Sequence, residues 1–356
     1  MKNIFRAVKH RSEFCLIVLT IIAGISLTLS SCSLGKNNSN STPQNGNNQS
    51  ITIVAPQPSP SPVPVKKDVV LFITLQEIYP GQIATVKQTL DDFVEKNQSG
   101  MEQKKTITAN DISKDTRIVV FSSPPDNLKQ LVSDHPQTNF IIFSNQSQQS
   151  ETNLSVITVR YDHLAFLAGY TAAMIAPDWR SGALIAVEDG GDGFFSEAFT
   201  NGGHYFCGRC VPESPPLVTY PLSSFQPASV DPSVWQNSIT ELQKNGIGVL
   251  FFSSSVSKPD IFRLVAGQNI LLIGCQSPDA EVIRQWAATF KIDGLTPLKE
   301  VLNTIMAGKG GQASFTRVAI SDVQESYISK GKQRLILLLR KDLEEGLVSP
   351  NSIQAQ

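Results

Sequence analysis

The sequence predicts an α/β protein whose globular part has two lobes, each a parallel sheet flanked by helices. Short apolar runs, such as Val69–Leu75 and Val249–Phe252, alternate with stretches in which apolar residues recur at helical spacing. Alternating strands and helices build parallel sheets that are covered on both faces. We count about seven strands over roughly 290 residues, which is too many for one compact lobe and natural for two.

Each predicted strand is an apolar run that ends in polar or turn-forming residues. The strands are Val69–Leu75, Arg117–Phe121, Phe140–Phe143, Leu154–Val159, Ala183–Val187, Val249–Phe252 and Ile270–Ile273. Predicted helices cover 83–94, 126–132, 163–176, 232–245 and 335–345. Asp231 caps the fourth of these helices, and the Ala and Gly residues of 163–176 would let that helix lie close to a sheet.

The N-terminus has the pattern of an export signal. Residues 1–13 are basic, 14–29 are apolar, and Leu29-Ser30-Ser31-Cys32 resembles a bacterial lipobox. We therefore predict a signal peptide over 1–31 and lipid attachment at Cys32. An uncleaved membrane anchor is the alternative. Either interpretation places the rest of the chain on the extracytoplasmic face of the cell membrane.

A polar stalk is predicted to follow, over 32–67. Its Asn, Ser, Gln and Pro residues cannot bury enough surface to offset the entropy of ordering, so we expect disorder. At ~3.1 Å per residue in the extended polyproline conformation, the stalk could reach about 100 Å from the membrane. The net charge of −1 argues against nucleic acid as a partner.

Three stretches resemble the basic-membrane-protein family, the purine-nucleoside-binding lipoproteins of ABC importers. They are His135–Ile142, Asn153–Val159 continued by Phe166–Ala173, and Ser181–Ile185. The resemblance implies a type I periplasmic-binding-protein fold, in which two Rossmann-like lobes hold a ligand between them. It implies one lobe from 68–160 and about 291–320, and another from 161–290 and about 321–350.

The sequence departs from this family at two ligand-holding places. Gln76–Gln82 stands where the family has an Asp-rich, Ser-Phe-Asn loop, and Cys275 stands where an Asp would hold a ribose. The resemblance therefore extends to the fold and the binding role but not to the nucleoside.

Candidate ligand-binding residues follow the strand ends, because ligands of parallel sheets lie beyond the carboxyl ends of the strands. The candidates are Gln76, Glu77, Tyr79, Ser122, Ser123, Asn145, Tyr161, Asp162, Glu188, Asp189, Asp192, Phe194, Ser253 and Gln276. Each one could instead cap a helix or turn. The carboxylates of 188–193 could hold a cation or hydroxyls, although calcium needs more ligands, and Phe194 and Phe195 could stack on a ring or start the core face of a helix.

The cysteines predict a disulfide rather than a metal site. Cys207 and Cys210 lack the second ligand pair that structural zinc requires, and a disulfide is the default in an exported chain. Cys275 is expected to be a buried thiol. No metal or cofactor is predicted.

Function follows from these features. The chain has no Gly-x-Ser-x-Gly, His-Glu-x-x-His or phosphate-loop motif, so we do not expect an enzyme. We expect a monomeric solute-binding protein that delivers a small polar, nucleoside-like or sugar-like ligand to an ABC permease. The alternative is a surface lipoprotein without a transport role, which acts as a ligand sensor or as a structural module.

Overall fold

The computed structural model describes residues 68–190 and 193–351. The predicted signal peptide, Cys32, the stalk and Asp192 lie outside the described residues. The described residues belong to one compact unit. Within the described ranges, no helix is both long and apolar enough to cross a membrane.

Two six-stranded sheets form the frame of this unit, and they confirm the predicted α/β class. The strands are β1 (Val69–Ile73), β2 (Gly100–Lys104), β3 (Thr116–Phe121), β4 (Asn139–Ser144), β5 (Leu154–Thr158), β6 (Ser181–Ala186), β7 (Leu222–Gln226), β8 (Val249–Phe252), β9 (Leu271–Gly274), β10 (Trp286–Asp293), β11 (Ala313–Phe315) and β12 (Arg317–Ser321). The strand orders are β11-β5-β4-β3-β1-β2 and β12-β10-β9-β8-β6-β7. Neighbouring strands of the described sheets are parallel, except that β12 runs antiparallel to β10.

Helices cover both faces of each sheet. They are α1 (Gln82–Lys96), α2 (Leu128–Asp134), α3 (Tyr161–Ile175), α4 (Val187–Gly190), α5 (Phe194–Cys207), α6 (Pro232–Lys244), α7 (Pro259–Arg263), α8 (Leu295–Met306) and α9 (Lys330–Glu344). Successive side chains of a strand point to opposite faces. Val70 and Phe72 of β1 therefore pack in one apolar cluster, while Leu71 and Ile73 pack in another.

The chain passes between the two sheets three times, after β5, after β10 and between β11 and β12. The last passage corrects the expected lobe boundary. Residues 317–320 belong to the second sheet and not to the first lobe, because Arg317–Ser321 pairs with β10.

Helices α3 and α5 pack closely through glycines. A side chain at Gly169 would overlap the carbonyl of Phe199, and one at Gly202 would overlap the carbonyl of Phe166. The small residues of α3 therefore serve its contact with α5 as well as the predicted approach to the sheet.

Candidate functional site

The carboxyl ends of both sheets border a cleft that contains two cavities. The Phe194 cavity has a volume of about 760 Å³. Its walls come from both lobes and are formed by Ile78, Asn145, Ser147, Thr158, Val159, Arg160, Tyr161, Asp162, Glu188, Asp189, Gly190, Phe194, Phe195, Ala313, Ser314 and Phe315. Volumes of this size suit a small-molecule ligand.

The second cavity, which we call the Lys291 cavity, has a volume of about 690 Å³. It brings together Tyr79, Ser254, Cys275, Gln276, Lys291 and Asp293, with Pro80, Gly81, Thr85, Ser277, Ile292, Gly294, Leu295 and Ala319. The strand-end candidates are therefore divided between two cavities. Tyr79 and Gln276 lie in the Lys291 cavity, and Asn145, Tyr161, Asp162, Glu188, Asp189 and Phe194 lie in the Phe194 cavity.

Tyr161 joins the lobes. Its hydroxyl, carried by α3 of the second lobe, donates a hydrogen bond of 2.8 Å to the carbonyl of Ile78 in the loop after β1. Burial, together with the nearby Asp189 carboxylate, raises the pKa of Tyr161. The phenol therefore keeps its proton and remains a hydrogen-bond donor at neutral pH.

A charged pair lies on the wall of the Phe194 cavity. Arg160 donates to both carboxylate oxygens of Asp162, at 2.9 and 2.8 Å. Burial of Asp162 opposes ionisation, but the hydrogen bonds and charge of Arg160 outweigh it and lower the pKa of the carboxyl. The two charges thus compensate each other in a fixed bidentate geometry.

The two acidic residues of α4 have different environments. The Asp189 carboxylate is buried and accepts hydrogen bonds from the Ser253 hydroxyl at 2.5 Å, the Ser255 amide at 2.7 Å and the Ser255 hydroxyl at 2.7 Å. Glu188 is exposed and accepts one bond, from the Ala228 amide at 2.8 Å. Asp189 therefore ties the end of β6 to the loop after β8.

The two phenylalanines at the start of α5 have separate roles. Phe195 is buried and stacks on Phe251, so it belongs to the core. Phe194 is 49% exposed at the cavity wall. Phe194 thus offers a partly open ring to a ligand.

Three candidates, Ser122, Ser123 and Glu77, organise the loop after β1 with their side chains, and Gln76 takes part through its backbone amide; none of the four lines either cavity. Ser122 accepts a hydrogen bond from the Leu75 amide at 2.9 Å, and Ser123 accepts one from the Gln76 amide at 3.3 Å. Glu77 accepts one from the Ile83 amide at 2.9 Å. In these positions the side chains act as caps and turn-holders.

Several cavity residues were missed from the sequence. Arg160 is the second residue after β5, so the strand-end rule could have found it. Lys291 lies in β10, which was not predicted as a strand. Ser147, Ser314 and Phe315 lie in irregular or short segments that carry no periodic signal.

The predicted disulfide between Cys207 and Cys210 is present at the end of α5. Among the residues that the structure describes, no cluster of His, Cys, Asp or Glu has the arrangement of a metal site.

Comparison with known proteins shows which family and which solved structures the chain is similar to. A family model described as ABC transporter substrate-binding protein PnrA-like (Bmp) matches residues 85–206. The predicted resemblance to the Bmp family is confirmed. The matched segment runs from α1 to α5 and includes Asn145, Tyr161, Asp189 and Phe194. No curated protein matches the sequence.

Solved structures agree on the fold. An ABC transporter solute-binding protein from Conexibacter woesei superposes with a TM-score of 0.57 at 13% identity, covering 79% of this chain and 97% of its own. One from Aeropyrum pernix gives 0.56 at 12% identity, with 79% and 92% covered. A transcriptional activator of the comK gene from Bacillus halodurans gives 0.58 at 11% identity, with 79% and 100% covered. At these identities the likeness concerns the fold of the chain.

Cys275, which the sequence resemblance aligns with a ribose-holding Asp, lies outside the matched segment and follows β9 directly. The thiol is buried and free of a disulfide, as predicted. Burial raises the pKa of Cys275, so the thiol is protonated at neutral pH. It therefore cannot provide the charged acceptor that an Asp would provide at this position.

Proposed function

We propose that this chain is the lipid-anchored, extracytoplasmic solute-binding protein of an ABC importer, and that it binds a small polar ligand in the Phe194 cavity. The Bmp match and the fold support the solute-binding role. The lipobox-like Leu29–Cys32 supports a tether to the membrane that holds the importer.

The observation that carries the proposal is that one cavity draws its walls from both lobes. Asn145 comes from the first lobe, and Glu188 and Phe194 come from the second. A ligand that contacts both walls stabilises the closed arrangement over an open one, because it gains contacts only when the lobes meet. This coupling is what a receptor needs in order to signal occupancy to a permease.

The wall chemistry indicates the ligand class. Phe194 offers an aromatic face, while Asn145, Ser147 and Ser314 offer neutral hydrogen-bonding groups. Arg160 and Asp162 neutralise each other. The Asp189 carboxylate is held by serines, and the Glu188 carboxylate remains at the wall as a charged acceptor. These features favour a ligand with a ring and several hydroxyl or amide donors, such as a sugar or a nucleoside.

A ligand screen with one matched pair of variants tests the proposal. Thermal-shift screening of nucleosides, sugars, amino acids and dipeptides should find a stabilising compound, whose affinity is then measured by calorimetry. Phe194→Ala should weaken its binding roughly tenfold, since an aromatic contact contributes about 1 kcal/mol beyond its buried area. Phe225→Ala is the control, because Phe225 is similarly exposed, at 44%, but lies outside the cavity.

Two results would contradict the proposed site. One is equal weakening by Phe194→Ala and Phe225→Ala. The other is the absence of any stabilising compound among the four classes. Transport is tested separately, because deletion of the gene should abolish cellular uptake of the compound found in the screen, and the wild-type gene should restore it.

A sensor or interaction module is the second candidate, and the state of two residues at the cleft favours it. Cys275 lacks the charge of the Asp that the resemblance implies at its position, and Asp189 already accepts three hydrogen bonds from serines. The two candidates separate in the uptake experiment. A chain that binds the compound, but whose deletion leaves uptake unchanged, is a sensor and not an importer component.

A further inference from the structure

The outer face of α9 combines leucines with basic side chains. We define this α9 face by Lys330, Arg334, Leu335, Leu338 and Lys341. The opposite side of the helix is buried through Ile336, Leu339 and Leu343, so the orientation of α9 on the second lobe is fixed. The α9 face therefore points into solvent as a fixed surface.

The basic and apolar residues of the α9 face lie along one side of the helix. Arg334, Leu338 and Lys341 follow each other at spacings of four and three, which places neighbours on the same side of a helix. Leu335 and Leu338 are 48% and 54% exposed, and Leu337 beside them is 45% exposed. Three partly exposed leucines within one helical turn are unusual for a surface that faces only water.

The charge of this segment differs from that of the chain. Residues 329–341 contain five basic residues and no acidic one, although the whole chain has a net charge of −1, and Asp342, one turn after Leu338, is the acidic residue of this face. Glu325, Glu344 and Glu345 reach three of the basic groups, at 3.9, 3.6 and 3.5 Å. The pairs of Lys330 and Lys341 are exposed and contribute little, whereas the partly buried pair of Arg340 and Glu344 lies outside the α9 face. Arg334 contacts no carboxylate within the described ranges.

We propose that the α9 face docks on an anionic bilayer surface. Its leucines would enter the boundary between headgroups and acyl chains, and its lysines and arginine would meet anionic headgroups, as in helices that lie in a membrane interface. An acidic protein partner would match the charges, but it would need apolar hollows at the leucine positions. A bilayer accepts both groups on one helix face without a shaped counterpart. The docking brings the second lobe to the membrane independently of the lipid at Cys32.

Vesicle binding tests the proposal on the chain without its lipid, beginning at Ser33. The protein should sediment with vesicles of phosphatidylcholine and phosphatidylglycerol but not with phosphatidylcholine alone, and high salt should reduce binding. Arg334→Gln combined with Lys341→Gln should reduce partitioning roughly 25-fold, because each basic group near an anionic surface contributes about fivefold.

Matched controls distinguish binding through the α9 face from binding caused by net charge or by any exposed apolar side chain. Lys96→Gln combined with Lys105→Gln makes the same change in net charge on the first lobe and should leave partitioning unchanged. Leu338→Ser should reduce partitioning roughly tenfold, whereas Leu217→Ser, at a residue 63% exposed elsewhere, should not. Circular dichroism and melting curves confirm that each variant is folded.

Three outcomes would overturn the proposal. The first is failure of the wild-type chain to bind anionic vesicles. The second is an equal loss of binding in the control pair at Lys96 and Lys105. The third is self-association, seen by analytical ultracentrifugation and lost in the Arg334 and Lys341 variant, without vesicle binding. That last result would assign the α9 face to a second copy of the chain.

Discussion

Replacing Asp189 by Ala should destabilise the second lobe more than its place in a short loop helix suggests. The carboxylate belongs to the third residue after β6 and accepts hydrogen bonds from Ser253 and Ser255 in the loop after β8. Strands β6 and β8 are neighbours in the sheet. The variant therefore leaves the Ser255 amide and two hydroxyls without their acceptor at the floor of the cleft.

The magnitude follows from three bonds to one charged group. Hydrogen bonds to a charged group contribute about 1.5–3 kcal/mol each, and donors left unsatisfied by a lost partner add to the loss. The ion's own desolvation offsets part of this sum. We therefore expect the free energy of unfolding to fall by about 3–5 kcal/mol, which is in the upper range for single substitutions.

Urea denaturation followed by tryptophan fluorescence measures this change, and Glu188→Ala is the matched control. Glu188 is the preceding residue, carries the same charge and accepts a single exposed hydrogen bond, so its replacement should cost about 1 kcal/mol or less. The midpoint should shift with an unchanged slope if only stability differs. Equal destabilisation by the two variants would refute the reasoning that Asp189 holds the floor of the cleft.

Three further predictions concern positions elsewhere in the chain. Cys32→Ala should leave unprocessed precursor and abolish membrane retention of the processed form, and failure of labelled fatty acid to join the wild-type protein would contradict the lipobox. Replacing Cys207 and Cys210 by Ser should lower stability by about 2 kcal/mol in a urea titration, because the closed loop is short; no loss relative to the oxidised wild type would contradict this. Burial and the charge of Arg160 lower the pKa of His163 to about 4. Since an unfolded His titrates near 6.5, stability should fall by roughly 2–3 kcal/mol as the pH drops from 7 to 4.5. His163→Gln should remove that part of the fall, and an unchanged pH dependence would contradict it.

The central strands of both sheets, apart from β10, were predictable because they are covered on both faces. Val249–Phe252 is continuously apolar, and β8 has these bounds. The edge strands were not predictable, because they need no such run. Gly100–Lys104 and Leu222–Gln226 each pair on one side only, and their sequences, GMEQK and LSSFQ, are largely polar. Their strand character comes from hydrogen bonds to β1 and β6, which is a tertiary effect.

The candidate site was predictable in place but not in detail. The strand-end rule selects residues that the structure brings together, since Asn145, Glu188 and Phe194 all lie at one cavity wall. The rule does not identify the side chains that form hydrogen bonds with the loops and are therefore not available to a ligand. Ser122 is fully buried and accepts a hydrogen bond from the Leu75 amide. No sequence pattern separates such a serine from one that faces the cleft.

The two sheets show why some serines at strand ends form hydrogen bonds within the protein and are not available to a ligand. Their strand orders correspond position by position, so β3 and β8 occupy equivalent places, as do β1 and β6. Ser122 is the first residue after β3, and Ser253 is the first after β8. Ser122 accepts the Leu75 amide after β1, and Ser253 accepts the Ala186 amide at the end of β6, at 2.9 and 3.0 Å. Where a parallel sheet ends, the backbone amides of its central strands lose their ladder partners. A serine on the neighbouring strand supplies the acceptor in both lobes, so it belongs to the frame of the cleft, and the groups left for a ligand lie farther along the loops or beyond the crossings.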